Sequence, residues 1–167
     1  MTVKKMPRRR RRENKTDYGK RLKLLKSGAP RIVFRKSNKY IIAQYVTSSE
    51  AQDKIIFGVI SKDLLGKGWP KENQGSLKST PAAYLTGLLM GKMIAQKKLE
   101  NPIIDFGMNK MLHKTKTYAF LKGVIDSGIE INAKDEIFPS EDRIQGKHLK
   151  NDFSGKFKEI KSSIEKE

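Results

Sequence analysis

The chain contains no cysteine, so it can form neither a disulfide nor a thiolate-bound metal site, a composition that suits a reducing cytoplasm. It has only two histidines, His113 and His148. Both sit among basic and polar residues, where they read as phosphate donors or bystanders rather than as catalysts or ligands. Long apolar runs are missing. The longest, over residues 82–95, is broken by Thr86 and Lys92 and is too short to span a bilayer. The positively charged start is followed by no apolar segment, so no secretory signal is expected. Acids are scarce: 18 Asp and Glu face 36 Lys and Arg, a formal net charge of +18 in 167 residues. Such a surplus says little about fold but much about partners, because a positive surface attracts polyanions.

Catalytic signatures are missing as well. There is no phosphate-binding Walker loop, no nucleophile elbow and no dinucleotide fingerprint; Gly66-Lys67-Gly68 alone is weak. A nuclease needs carboxylates converging on a metal. Asp105 falls within an expected strand and Asp126 at an expected helix end, neither with a second or third acid beside it. Asp105 reads as a hydrogen-bonded structural acid. The sequence therefore points to no catalytic residue, no metal, no cofactor and no small-molecule substrate.

What is present is charge gathered at one end. Residues 1–30 hold twelve basic side chains against Glu13 and Asp17, ten of the eighteen net charges. Arg8, Arg9, Arg10, Arg11 and Arg12 form a block expected to stay without regular structure until a polyanion neutralises it. Arginine suits RNA phosphates because its planar fork binds two oxygens at once and stacks on bases. The same block also fits a solubilising tail or a localisation signal. A hydrophobic content of 37% predicts a modest core with polar extensions.

Periodicity divides the chain into a basic arm with a short helix (1–29), an α/β body (30–150) and a charged tail helix (151–167). Thr16 or Asp17 can cap the first helix, with Tyr18, Leu22 and Leu25 as its apolar stripe and Gly28 as its end. Strands follow at 31–36, 40–46 and 54–60, joined by a turn at 37–39 and a polar loop at 47–53. Alternation places Arg31, Val33 and Arg35 on one face of the hairpin and Ile32, Phe34 and Lys36 on the other. That basic face can seat an RNA backbone, or it can simply protect a sheet edge. Residues 61–79 read as a long exposed loop anchored by Trp69. A helix capped at Thr80 and running to about residue 98 buries Leu85, Leu88, Leu89 and Ile94, and Gly87 and Gly91 permit close backbone approach. A fourth strand (102–106), a helix (115–127) and a fifth strand (129–131) complete a mixed five-stranded sheet with packed helices. Phe157, Ile160 and Ile164 give the tail helix one apolar face that docks on something.

Several blocks are familiar as a set. Lys15-Thr16-Asp17-Tyr18 through Arg21, Leu24 and Leu25 resembles the opening of the 5S-rRNA-binding large-subunit ribosomal protein family, eighteenth in bacterial naming and fifth in eukaryotic. So does the run from Pro30 to Tyr40, continuing to Ala43-Gln44. The run from Pro81 to Leu89, with Gly91-Lys92, is similar to the archaeal and eukaryotic branch. Phe120-Leu121-Lys122-Gly123, and Glu136-Ile137-Phe138-Pro139 with Arg143-Ile144, resemble later blocks. Two positions depart: residues 112–116 lack the family's glycine, and Asn132-Ala133-Lys134 replaces Pro-His-Ser.

The resemblance covers about residues 14–148, and no long eukaryotic extension follows, which fits the archaeal type. It implies a three-layer α/β/α fold related to the ribonuclease-H-like group. It also implies a structural, non-enzymatic role in the cytoplasmic ribosome, holding 5S rRNA in the central protuberance against large-subunit rRNA and neighbouring ribosomal proteins. By matching position, it implies RNA contacts at Lys15, Thr16, Tyr18, Arg21, Arg31, Arg35, Lys36, Ser37, Asn38 and Lys39. The competing expectation is a general basic RNA-binding or chaperone protein.

Overall fold

The computed structural model describes residues 6–50, 52–149 and 152–166; Lys4 and Lys5 of the basic arm lie outside them. The arm opens with one helical turn, α1 (Arg9–Arg12), and then α2 (Tyr18–Lys26). The arginine block is thus helical rather than irregular. Arginine is a good helix former, and Glu13 offsets some of the repulsion by pairing with Arg9 at 3.7 Å and Lys15 at 2.8 Å. Asp17 caps α2, its carboxylate accepting from the backbone N–H groups of Gly19 and Lys20. Gly28 ends the segment at φ +67°, where a side chain would be strained.

Strands β1 (Arg31–Lys36), β2 (Ile41–Ser49) and β3 (Gln52–Ile60) form an antiparallel meander, and β4 (Ile103–Asp105) adds in parallel beside β1. The order is β3-β2-β1-β4. Among the described residues the sheet has four strands, not the expected five. Residues 129–131 stay unpaired: Ile129 is buried and Ile131 packs against the core, so the segment keeps its apolar contacts without a ladder. A three-residue β4 offers little backbone to pair with. The expected loop at 47–53 is mostly strand, because Ser48 and Asp53 face each other across the hairpin and hydrogen bond at 2.7 Å.

The supposed loop at 61–79 instead carries two 3₁₀ segments, Ser61–Lys67 and Lys71–Ser76. Leu64, Trp69 and Leu77 pin it to the core. Then α3 (Thr80–Gln96) begins with Ser79, not Thr80, as its N-cap. It is buried on nearly all sides. The chain continues through α4 (Lys116–Asp126), α5 (Glu141–Gln145) and α6 (Ser154–Glu165).

One face of the sheet, with Ile32, Phe34, Ile41, Ala43, Tyr45 and Val59, packs under α3 and α4. Phe34 meets Phe120 of α4 at 4.8 Å between ring centroids. The far side of α3 is covered by α5 and α6. The apolar face of α6 therefore docks on the chain's own core: Phe157 lies 5.5 Å from Tyr84 and Phe153 lies 4.6 Å from Trp69. The opposite face of the sheet carries Arg31, Val33 and Arg35, and α2 lies against it.

Candidate nucleic-acid interface

Strand alternation sends Arg31 and Arg35 to the same face, yet their fates differ. Arg31 is 1% exposed. Its guanidinium donates to Asp53 at 2.7 Å and to Ser48 at 2.9 Å, and lies 3.7 Å from Asp105. A buried guanidinium needs such partners, so this charge is spent inside the protein. Arg35, two residues on, has a side chain 47% exposed. It donates to the carbonyls of Phe34 and Asp105 and meets the Asp105 carboxylate at 3.4 Å. Gly107, at φ +56°, makes room for it; a Cβ there would run into the Arg35 guanidinium.

Two side chains of α2 tie the arm to this face. Arg21 donates to Asp53 at 2.8 Å and Lys20 to the Gly107 carbonyl at 3.2 Å. Asp53 thereby joins Arg21 and Arg31. Burial alone would push its carboxyl up, but hydrogen bonds from Arg21 and Ser48 and the two guanidinium charges outweigh that and hold it below the ordinary carboxylate range. Of the expected stripe, Tyr18 and Leu25 are half-buried, as are Arg21 and Leu24, but Leu22 is 56% exposed.

Between arm and sheet lies a cup of about 320 Å³. Its basic groups come from Arg10, Lys15, Lys20, Arg21 and Arg35, with Thr16 and Tyr18 on its wall. Arg10 donates to the Thr16 hydroxyl at 2.9 Å. The two acids in the lining are already engaged, Asp17 in the helix cap and Asp105 with the Gly107 N–H at 2.7 Å and Arg35. On the outer side of α2, Arg8 lies over the Tyr18 ring at 4.9 Å. Arg9, Arg11 and Arg12 point into solvent. An opening so lined takes an anion with several oxygens, and guanidinium and phenol planes suit phosphate and base together.

The structure therefore unites Arg10, Lys15, Thr16, Tyr18, Arg21 and Arg35 in one place. Lys36, Ser37, Asn38 and Lys39 form a separate group at the hairpin turn, where Ser37 brackets Tyr40 through three 2.9 Å hydrogen bonds. Arg31 joins neither; it lies beneath the first. Sequence reasoning missed Lys20 and Asp53. Their partners, Gly107 and the two arginines, are 87, 32 and 22 residues distant, and nothing local signals such pairing. Of the acids considered for catalysis, Asp126 accepts from the Tyr84 hydroxyl at 2.6 Å, across the α3–α4 contact.

Sequence comparison finds a family and relatives for this chain. The family described as ribosomal large subunit proteins 60S L5 and 50S L18 matches residues 3–103. The large ribosomal subunit protein uL18 of Korarchaeum cryptofilum is 43% identical over 159 residues, covering 95% of this chain and 78% of its own. The uL18 of Halobacterium salinarum is 42% identical over 145 residues, covering 87% and 77%.

Proposed function

Because this chain belongs to the family of ribosomal large subunit proteins that comprises 60S L5 and 50S L18, we propose that it grips 5S rRNA and fastens it to the large rRNA in the central protuberance. Membership itself makes the protein an archaeal-type structural constituent of the large subunit of the cytoplasmic ribosome, not an enzyme. Its partners are ribosomal RNA and ribosomal proteins.

The observation that carries the finer reading is the cup, where the arm, α2 and β1 bring five cations to one opening whose acids are already engaged. In this reading Arg8, Arg9, Arg10, Arg11, Arg12, Lys15, Thr16, Tyr18, Arg21 and Arg35 clamp one stretch of backbone. Lys36, Ser37, Asn38 and Lys39 meet another. Arg31 acts from behind, holding Asp53 and through it Arg21. Shape and phosphate contacts supply most of the specificity, as with other structured RNAs. The relation to the ribonuclease-H-like group belongs to the same reading; the meander with a parallel strand beside its first member supports it.

Competition separates this reading from a general basic chaperone. Labelled 5S rRNA bound to the protein is challenged with unlabelled 5S rRNA, tRNA and random duplex of matched length. Displacement by 5S rRNA at far lower concentration is expected. Equal displacement by all three would leave only the chaperone.

A further inference from the structure

The geometry points to a second phosphate grip, built by Lys36, Lys78 and Lys116 where the hairpin turn meets the starts of α3 and α4. It rests on the RNA-binding reading above and adds to it two residues, Lys78 and Lys116, that lie outside both the cup and the turn. Three elements far apart in sequence supply the lysines. Lys36 ends β1 and, by alternation with Ile32 and Phe34, lies on the face that α3 and α4 cover. Lys78 stands two residues before α3, half-buried, and its ammonium donates to the Asn38 carbonyl at 3.3 Å. Lys116 is the first residue of α4 and is also half-buried.

Helix packing explains why they converge. Gly87 faces Phe120 and Val124, and Gly91 faces Val124 and Ser127. Position advances in the same direction along both helices, so α3 and α4 run side by side in one sense and start at one end of the molecule. That end faces the turn. Both helix starts contribute partial positive charge there. Thr115, the N-cap of α4, makes no side-chain capping hydrogen bond, and its hydroxyl donates to the Leu112 carbonyl at 2.8 Å.

Of the three, Lys78 and Lys116 are half-buried and Lys36 is exposed. Among the described residues, the ion pairs involve other cations, and none includes Lys36, Lys78 or Lys116. Burial lowers the Lys116 pKa, and the charges of Lys78 and Lys36 lower it further. The free protein thus holds like charges near one another with no ion pair to any of them among the described residues, an arrangement that a bridging anion relieves. An RNA backbone is the anion that fits. Asn38 and Lys39 are exposed beside the cluster, and Arg35 of the cup precedes Lys36 directly, on the opposite face. A strand leaving the cup and rounding the tip of β1 meets these ammonium groups next.

Two measurements test the grip. In the first, wild-type protein, free and bound to 5S rRNA, is treated with an acylating reagent and each lysine is read by mass spectrometry. Lys78 and Lys116 are expected to become several-fold less reactive in the complex, while Lys156 and Lys158 on α6 stay unchanged. In the second, the paired variant Lys78→Ala/Lys116→Ala is compared with Lys156→Ala/Lys158→Ala, which carries the same charge change. Only the first pair should flatten the slope of log affinity against log salt, by about one to two units. A complex that forms with Lys78 and Lys116 as reactive as in free protein, or equal slopes for the two folded variants, overturns the grip and leaves the cup standing. Failure of the wild type to bind 5S rRNA overturns both.

Discussion

At the scale of single residues, neighbours decide whether a charge serves the fold or a partner. Arg31 and Arg35 share a strand face and a chemistry, yet one is sealed beneath α2 and the other half-open above Gly107. The difference is Asp53, which reaches Arg31 from β3 and Arg21 from α2. Replacing it by asparagine keeps a hydrogen-bond acceptor but leaves a buried guanidinium short of its counter-charge. Asp53→Asn should therefore destabilise the protein at neutral pH by about 1–3 kcal/mol.

The pH dependence has a definite sign. The folded-state pKa of Asp53 is depressed, so its contribution is present above the unfolded value of about 4 and is lost as pH falls through the folded value. Urea midpoints of wild type and variant should differ at pH 7 and converge toward pH 2. A constant gap across that range would contradict this account of Asp53.

At the scale of elements, helix contacts are set by where backbone can approach backbone. The α3–α4 crossing is held open to glycine on both sides: a Cβ at Gly123 would strike the Tyr84 carbonyl and the Leu88 N–H, and one at Gly87 would strike the Phe120 carbonyl. Gly123→Ala should cost at least about 1–3 kcal/mol by forcing the helices apart. Gly155→Ala on α6, where nothing lies within 4 Å, should be neutral or stabilising by up to about 1 kcal/mol. Chemical denaturation of the two variants checks the pair.

The two chain ends also differ in kind. No residue of α1 or α2 is buried, whereas α6 buries Phe157, Ile160 and Ile164. Removing residues 1–13 should weaken RNA binding and leave cooperative unfolding of the body intact, with no more helical circular dichroism lost than the four residues of α1 supply. Removing residues 152–167 should abolish cooperative unfolding, since each lost apolar side chain forfeits about 1.5–3 kcal/mol of burial. The apolar face of the tail was legible from its spacing. Its partner was not, because Trp69 and Tyr84 are distant in sequence.

At the scale of the whole molecule, a net charge of +18 is incompatible with indifference to polyanions. If the arm, cup and turn make about 6–10 phosphate contacts, affinity for 5S rRNA should fall roughly 10³–10⁵-fold between about 50 and 200 mM salt. Filter-binding titrations across that range check it, and a nearly flat response would remove the electrostatic part of the reading.

Much of this was written in the sequence. Strand alternation assigned Ile32 and Phe34 to one face and the arginines to the other, because a pleated strand has a period of two whatever it packs against. Helix punctuation at Asp17 and Gly28 needs only local backbone chemistry. Composition and the ordered family blocks carried the functional class, since charge and motif are properties of the chain itself.

The tertiary structure alone decided the rest. It sealed Arg31, opened Arg35, turned Leu22 outward, left 129–131 without a ladder and brought Lys36, Lys78 and Lys116 to one end. Each of these depends on contacts between residues tens of positions apart. Local propensity and periodicity carry no information about such contacts until hydrophobic burial has folded the sheet beneath its helices.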